Sequence, residues 1–144
     1  MIVIGADHGG FELKEKIKKK LDELGYEYED VGAFKPNPKD DYPQFAERVG
    51  RDISEHPDWK GILICRSGQG MAMVANKFSG VRAAVCHSVD EAKMTREHND
   101  ANVLSIGADD VKEKDALAMV QTFLETLFSD ESRHKKRVAQ INKL

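Results

Sequence analysis

Short apolar runs alternate along the chain with longer segments in which apolar residues recur every three or four positions. The first run spans residues 2–4, and apolar residues at helical spacing follow between Leu13 and Leu24. Gly25 comes directly after that segment, where a glycine is typical of a helix end. The chain therefore begins with a predicted strand followed by a predicted helix.

The same alternation continues to the end of the chain. Further apolar runs predict strands at residues 26–31, 62–65, 82–86 and 102–106. Helical spacing predicts helices at about residues 71–78, 89–97 and 116–128, the last with Met119, Val120, Phe123, Leu124 and Leu127 available for burial. A further helix, with Phe45, Val49 and Ile53 on one face, follows the loop GAFKPNPKDDYP, and a C-terminal helix carries RHKKRVAQINKL.

Alternating strands and helices joined by short loops predict an α/β fold. Parallel strands need crossover helices, so we expect a Rossmann-like, doubly wound, five-stranded parallel sheet with helices on both faces. Ligands of such sheets bind outside the carboxyl ends of the strands, near the point where the strand order reverses. The candidate residues for this edge are Asp7, His8, Cys65 to Gly70, His98, Asn99 and Asp109.

Composition narrows the function classes. A chain of 144 residues with 40% apolar content suits a single domain, residues 1–144. The formal charge of −3, without a long basic block, does not favour a nucleic-acid partner. With no signal-peptide pattern and no membrane-length apolar run, we expect a cytoplasmic protein whose partners are small molecules or other copies of itself. Two cysteines at the ends of apolar runs suggest free thiols of a reducing compartment.

The stretch GILICRSGQGMAMVANK places a thiol and a hydroxyl on a glycine turn between a strand and a helix. Gly68 and Gly70 allow a sharp turn whose amides stabilise an anion or a developing oxyanion. Such a turn favours the thiolate form of Cys65, which could then act as a base or nucleophile. The alternative is that Cys65 is a small buried apolar residue. The turn matches neither a dinucleotide-binding fingerprint nor a Walker loop.

Three further motifs carry candidate chemistry. ADHGG offers Asp7 and His8 to sugar hydroxyls or a phosphate, although Asp7 also suits a helix cap. REHND offers His98 for proton transfer near neutral pH, or simply a surface histidine at a helix end. RHKKR sets Arg133 and Arg137 on one helix face, which suits a phosphate or a solvated basic face.

Together these groups are what a proton-transferring sugar-phosphate isomerase needs. No residues follow a metal-ligand spacing and no cofactor loop is present, so we expect neither a metal nor an organic cofactor.

Several segments resemble, in order and spacing, the ribose-5-phosphate isomerase type B family, which also contains galactose-6-phosphate and allose-6-phosphate isomerases. They are DHGGFELK, the DYP of residues 41–43, GILICRSGQGMAMVANKFSGVRAA, REHNDANVLSIG and RHKKRV. The resemblance covers essentially the whole chain. It implies an aldose-ketose isomerase that interconverts ribose 5-phosphate and ribulose 5-phosphate through an enediolate, in a homodimer or homotetramer whose subunits share active sites.

The resemblance also implies a role for each matching residue. Cys65 is the base, since a glutamate used by some members is replaced here by Met71, and Ser67 keeps a hydroxyl near the substrate. The oxyanion site is formed by the amides of Gly68, Gln69, Gly70 and Met71. Ring opening and hydroxyl binding are implied for His98, Asn99, Asp7 and Tyr42. Phosphate binding is implied for His8, Arg133 and Arg137, with His98 and Asn99 serving the partner's Cys65.

Two departures weaken the choice of substrate. The family commonly has Cys-Gly-Thr-Gly where this chain has Arg66 and Ser67 between Cys65 and Gly68, and an arginine where it has Asp109. Our hypothesis is that Arg66 takes over part of the anion binding or reshapes the pocket. A hexose 6-phosphate isomerase and a non-catalytic phosphosugar- or nucleotide-binding module therefore remain alternatives; a redox thiol protein is disfavoured because no second cysteine has CxxC spacing.

Overall fold

Five strands and six helices alternate along the chain in a computed structural model that describes residues 1–144. The strands are β1 (Ile2–Ala6), β2 (Tyr28–Asp30), β3 (Lys60–Cys65), β4 (Ala83–Val85) and β5 (Val103–Gly107). The helices are α1 (Phe11–Leu24), α2 (Tyr42–Glu55), α3 (Gln69–Ala75), α4 (Val89–Asn99), α5 (Glu113–Glu125) and α6 (Ser132–Asn142). No helix is both long enough and apolar enough to cross a membrane.

All five strands pair in parallel, in the order β2-β1-β3-β5-β4. The chain leaves β1 toward one edge of the sheet and, after β3, continues toward the other edge. The strand order thus reverses between β1 and β3, which opens a crevice at their carboxyl ends. The predicted five-stranded, doubly wound parallel sheet is confirmed.

The period of two along each strand divides the core into two layers. In β3, Ile62 and Ile64 pack with α1, α4 and α5 on one face of the sheet. Leu63 and Cys65 pack with α2 and α3 on the opposite face. Because successive side chains of a strand point to opposite faces, this alternation directs the Cys65 thiol toward the α2–α3 side.

Helix ends follow local signals more closely than apolar spacing does. The residue after α1, Gly25, has a left-handed φ of 79°, which confirms the predicted stop. By contrast, α5 begins at Glu113 and ends at Glu125, three residues earlier than predicted at each end. Acidic residues in its first turn favour that start, although they carry no apolar signal. Leu127, predicted to be buried, lies beyond this helix and is 83% exposed.

A buried lysine fastens the segment that leads from β2 into α2. The side chain of Lys14 is fully buried, and its ammonium group donates to both carboxylate oxygens of Asp30, each at 2.7 Å. It also donates to the carbonyl oxygen of Ala33 at 2.6 Å. All three N–H groups are therefore paired, as burial of a charge requires.

Candidate active site

A cleft of about 270 Å³ lies where the strand order reverses. It is lined by the loop that follows β1, the end of β3 with the turn into α3, and the first residue of α2. Its lining residues are Asp7, His8, Tyr42, Cys65, Arg66, Ser67 and Gly70. The structure thus brings together seven of the residues predicted for the site.

The glycine turn after β3 donates a backbone hydrogen bond to the thiol of Cys65, the candidate base. Cys65 is 5% exposed, and its Sγ accepts a hydrogen bond from the backbone N–H of Gly68 at 3.0 Å. Gly68 has a left-handed φ of 74°, and a Cβ there would lie 3.0 Å from the carbonyl carbon of Ile106. Only glycine suits this position. An N–H donor stabilises a thiolate more than a neutral thiol.

Two hydroxyl groups share the cleft with this thiol. The Ser67 Oγ accepts a hydrogen bond from the backbone N–H of Gln69 at 3.3 Å. The ring of Tyr42 lies so close to Gly70 that a Cβ at Gly70 would come within 2.5 Å of the phenol oxygen. Glycine at position 70 therefore makes room for the tyrosine at the mouth of the cleft.

His8 makes its shortest side-chain contact with a residue that the sequence did not indicate. Its Nδ1 lies 2.6 Å from Oδ1 of Asp40, which also accepts from the His8 backbone N–H at 3.2 Å. Asp40 belongs to the KPNPKDD loop, whose composition is typical of a linker and gives no signal for a site. Asp7 accepts from the Gly10 amide at 3.1 Å, so it braces the start of α1 and lines the cleft as well.

Asp7, His8 and Asp40 are also the one group whose ligand atoms lie close enough to consider a metal, all within 4.8 Å of one another. However, two atoms bound to one ion at about 2.1 Å in a tetrahedral arrangement lie over 3 Å apart. The Nδ1–Oδ1 distance of 2.6 Å is shorter, and it is that of a strong hydrogen bond.

The two departures from the family pattern contact each other. A guanidinium nitrogen of Arg66 lies 3.5 Å from Oδ2 of Asp109, and the two side chains are 65% and 58% exposed. The stem of Arg66 passes over Gly9, where a Cβ would come within 2.6 Å of its Cγ. Such an exposed pair contributes little to stability, so it leaves the guanidinium free to exchange partners.

Four other predicted residues lie with His134 in a second cluster on α4 and α6, which we call the α4–α6 cluster: His98, Asn99, Arg133, His134 and Arg137. The rings of His98 and His134 have centroids 4.5 Å apart. His134 is 4% exposed and its Nδ1 lies 2.7 Å from the Ser129 hydroxyl. Burial lowers the pKa of His134, and the charges of His98, Arg133 and Arg137 lower it further. Both arginines are exposed.

The expected placement of His98 and Asn99 at the carboxyl edge of the sheet is wrong. A crossover helix runs antiparallel to its strands, so the C-terminal end of α4 reaches the amino end of β5. Neither residue lines the cleft with Cys65. Within one chain, the predicted site is therefore divided into two separate parts.

Arg82 holds the end of α4 in place, and sequence reasoning did not single it out. Its guanidinium donates to the carbonyl oxygens of Asn99 at 3.2 Å and Asp100 at 2.8 Å, and to Oδ1 of Asn142 at 2.8 Å. These bonds join β4, α4 and the C-terminal end of α6. A cavity of about 550 Å³ lies beside this junction and includes Asn99 and Arg82 in its lining.

The second thiol serves as a contrast to the first. Both cysteines are free, as predicted. Cys86 is 2% exposed and packs among apolar side chains, and burial together with the nearby Glu91 charge raises its pKa to about 12. A group with this pKa stays a neutral thiol near neutral pH, which suits a core residue.

Comparisons with known proteins identify close relatives over nearly the whole chain. The sequence model of the Ribose/Galactose Isomerase family matches residues 2–141. A ribose-5-phosphate isomerase B from Mycolicibacterium paratuberculosis is 39% identical over 137 residues, which cover 95% of this chain and 86% of that protein.

Solved structures agree with this match. The fold superposes on ribose-5-phosphate isomerase B from Mycoplasma genitalium with bound ribulose 5-phosphate with a TM-score of 0.95 and 36% identity, covering 99% of this chain and 93% of that one. The enzyme from Clostridium thermocellum gives a TM-score of 0.93 and 42% identity, with 99% and 95% covered.

Proposed function

Because the chain belongs to the ribose/galactose isomerase family, we propose that it interconverts D-ribose 5-phosphate and D-ribulose 5-phosphate. The observation that carries the proposal is the position of Cys65. Its thiol lies in the cleft where the strand order reverses and accepts a hydrogen bond from the backbone N–H of Gly68. A thiol held next to an N–H donor suits a base that must be deprotonated at neutral pH. The relatives named ribose-5-phosphate isomerase B support the choice of substrate.

In the direction from aldose to ketose, the reaction moves one proton from C2 to C1 of the open-chain sugar and a second from the C2 hydroxyl to the C1 oxygen. In our proposal the Cys65 thiolate removes the proton from C2 of the aldose and delivers it to C1 of the enediolate. The backbone N–H groups of Gly70 and Met71, in the first turn of α3, stabilise the negative oxygen of the enediolate. They are available because the first N–H groups of a helix lack intrahelical partners. Ser67, Tyr42 and Asp7 hold sugar hydroxyls. Proton transfer of this kind contributes about 10²–10⁴-fold to a rate.

The α4–α6 cluster supplies the remaining groups from a second subunit. We assign ring opening to His98, hydroxyl binding to Asn99, and phosphate binding to Arg133 and Arg137 together with His8. The separation of the two parts within one chain supports a homodimer in which each site combines both subunits. A single subunit would then be nearly inactive. A cytoplasmic location follows from the metabolic role of such an enzyme.

The test follows formation of ribulose 5-phosphate by purified protein with a chelator present, with galactose 6-phosphate and allose 6-phosphate in parallel. Cys65→Ala is expected to lose activity about 10²–10⁴-fold while it keeps the wild-type circular dichroism spectrum. Cys86→Ala is the matched control, because it removes the buried thiol outside the cleft.

Each outcome is informative. Turnover of the pentose that is lost only in Cys65→Ala would establish both the substrate and the base. Turnover of a hexose phosphate alone would overturn the substrate and keep the reaction. Binding of ribose 5-phosphate without any turnover would favour a binding module.

A further inference from the structure

The contact between His8 and Asp40 has the geometry of a carboxylate that directs an imidazole. One oxygen of Asp40, Oδ1, faces both the ring Nδ1 at 2.6 Å and the backbone N–H of His8 at 3.2 Å. The Asp40 side chain is only 9% exposed, and its other oxygen, Oδ2, is buried without a hydrogen-bond partner. The carboxylate is therefore compensated through His8 alone.

This geometry determines which ring nitrogen of His8 carries hydrogen. An ionised carboxylate only accepts hydrogen bonds, so the Nδ1 atom that faces it must carry a hydrogen. Nε2 is the nitrogen left for a ligand, and the His8 side chain is 26% exposed and lines the cleft. In the neutral ring Nε2 accepts a hydrogen bond, and in the imidazolium it donates one.

A phosphate dianion has only acceptor atoms, so it needs the donor form of Nε2. We propose that Asp40 is a positioning residue that fixes hydrogen on Nδ1 of His8 and favours the imidazolium, so that Nε2–H donates to the substrate phosphate. This inference rests on the proposed function for the identity of the phosphate ester. Asp40 itself does not contact the substrate.

The other titratable or charged groups around His8 do not replace Asp40 in this role. Asp7 repeats the negative charge, but its Oδ1 is engaged by the Gly10 amide. Arg66 is paired with Asp109 and carries the opposite charge. From the remaining elements the cleft receives the Tyr42 phenol and the Cys65 thiol.

The direct test is long-range ¹H–¹⁵N NMR of histidine-labelled full-length protein, which reports the hydrogen position on each ring. His8→Asn identifies the His8 signals among the five histidines. We expect hydrogen on Nδ1 of His8 in the wild type and in Asp40→Asn, because an amide oxygen still accepts. Asp40→Ala is expected to shift hydrogen toward Nε2. Asp41→Asn is the matched control, since it removes an adjacent, exposed charge and should leave the spectrum unchanged.

Function gives a second readout with the same variants. Asp40→Asn, which keeps the hydrogen position and loses the charge, is expected to raise the KM for ribose 5-phosphate about tenfold with kcat within about twofold. Binding of inorganic phosphate, followed through the His8 signals, should weaken in parallel.

Two results would overturn the proposal. One is a wild-type His8 ring that carries hydrogen on Nε2 and none on Nδ1; the other is an unchanged His8 signal in Asp40→Ala. A purely structural role for Asp40 would lower the melting temperature and change kcat and KM together without moving the ring hydrogen. The NMR and phosphate readouts need no turnover, so they decide the role of Asp40 even if ribose 5-phosphate is not the substrate. If Asp40→Ala does not fold, the wild-type spectrum and Asp40→Asn still decide it.

Discussion

The cleft after β1 and β3 and the α4–α6 cluster are built in opposite ways. The cleft holds a nearly buried thiol and backbone donors at the ends of central strands. The α4–α6 cluster displays two exposed arginines around one buried histidine on a peripheral helix pair. In our proposal the first supplies the base and the oxyanion donors but few cations, and the second supplies two arginines but no thiol. Each region thus holds the half of the chemistry that the other lacks.

If both regions serve one reaction, as we propose, a single chain contains the required groups without forming a complete site. The groups that must be rigid for proton transfer are attached to the sheet, where packing fixes them. Arg133 and Arg137, which we propose bind the phosphate together with His8, are exposed side chains on a helix and would tolerate adjustment when a second subunit docks. A contact between subunits would therefore assemble the site as well as the dimer.

Subunit complementation tests whether the cleft and the α4–α6 cluster form one site. Cys65→Ala and His98→Asn should each lose activity about 10²–10⁴-fold. After an equal mixture is unfolded and refolded together, about a quarter of the sites should contain both wild-type residues, because half of the dimers are mixed and each mixed dimer has one intact site. The mixture should then show about a quarter of wild-type activity.

Recovery would not occur if Cys65 and His98 acted within one chain, since no mixed dimer would then hold an intact site. Refolded wild type is the control for yield. Mixing Cys65→Ala with Ser67→Ala is the second control, because both changes lie in the cleft and each mixed dimer should carry a defect in both sites.

The next effect concerns the support of the cleft. Lys14→Met should destabilise the fold by about 3 kcal/mol, at the low end for a broken buried pair, because Lys18 still contacts Asp30 at 2.8 Å. Urea unfolding measures this loss. Lys19→Met, on the exposed side of α1, should leave the midpoint unchanged. In Lys14→Met, hydrogen exchange should increase most in the loop before α2. A larger increase in the α4–α6 cluster would contradict the role of Lys14 in supporting the cleft.

A smaller effect is expected at the cleft's single arginine. Arg66→Ala should raise the KM for ribose 5-phosphate about three- to tenfold with little change in kcat, since one exposed charged contact is lost. Arg137→Ala, in the α4–α6 cluster, should raise KM more. Arg51→Ala on α2 is the control, because its guanidinium pairs with Glu47 away from the cleft. An unchanged KM in Arg66→Ala would exclude the hypothesis that Arg66 takes over part of the anion binding.

The smallest effect separates the two regions by pH. Burial lowers the pKa of His134 in the folded protein, so on acidification the unfolded chain binds this proton at a higher pH than the folded chain does. The free energy of unfolding therefore falls as the pH drops below about 6.5. Burial tends to raise the pKa of Asp30, but hydrogen bonds from Lys14 and Lys18 outweigh it and lower the pKa, so its contribution is lost only below about pH 4. The measurement is the urea midpoint as a function of pH. In His134→Gln the decrease that begins below about pH 6.5 should be lost, and in Asp30→Asn the decrease below about pH 4 should be lost. A slope unchanged by either substitution would exclude that residue.

Local periodicity made most of the fold predictable. Alternating apolar runs identified all five strands, and Gly25 identified a helix end through its left-handed backbone. The order of β4 and β5 was not readable, because a pairing order depends on contacts between distant segments. Asp40 could not be identified for a similar reason. It lies in a polar loop, and its partner His8 is 32 positions away along the chain.

The chemical groups were predicted better than their positions. The turn at Gly68 and the thiol of Cys65 were identified together because both depend on neighbouring residues. His98 was assigned to the wrong edge because its proximity to β5 along the chain was taken for proximity to the strand's carboxyl end. Arg66 and Asp109 stood out separately, and their contact could not be inferred from the sequence.

The two-faced packing of β3 also constrains how this chain can vary. Leu63 and Cys65 share one face, and Ile62 and Ile64 share the other. An insertion or deletion of one residue before Cys65 would reverse every side chain that follows it in the strand. The thiol would then point into the layer of α1 and α5, away from its turn. Variation in length at this strand is therefore expected only in steps that preserve parity, or outside the strand altogether.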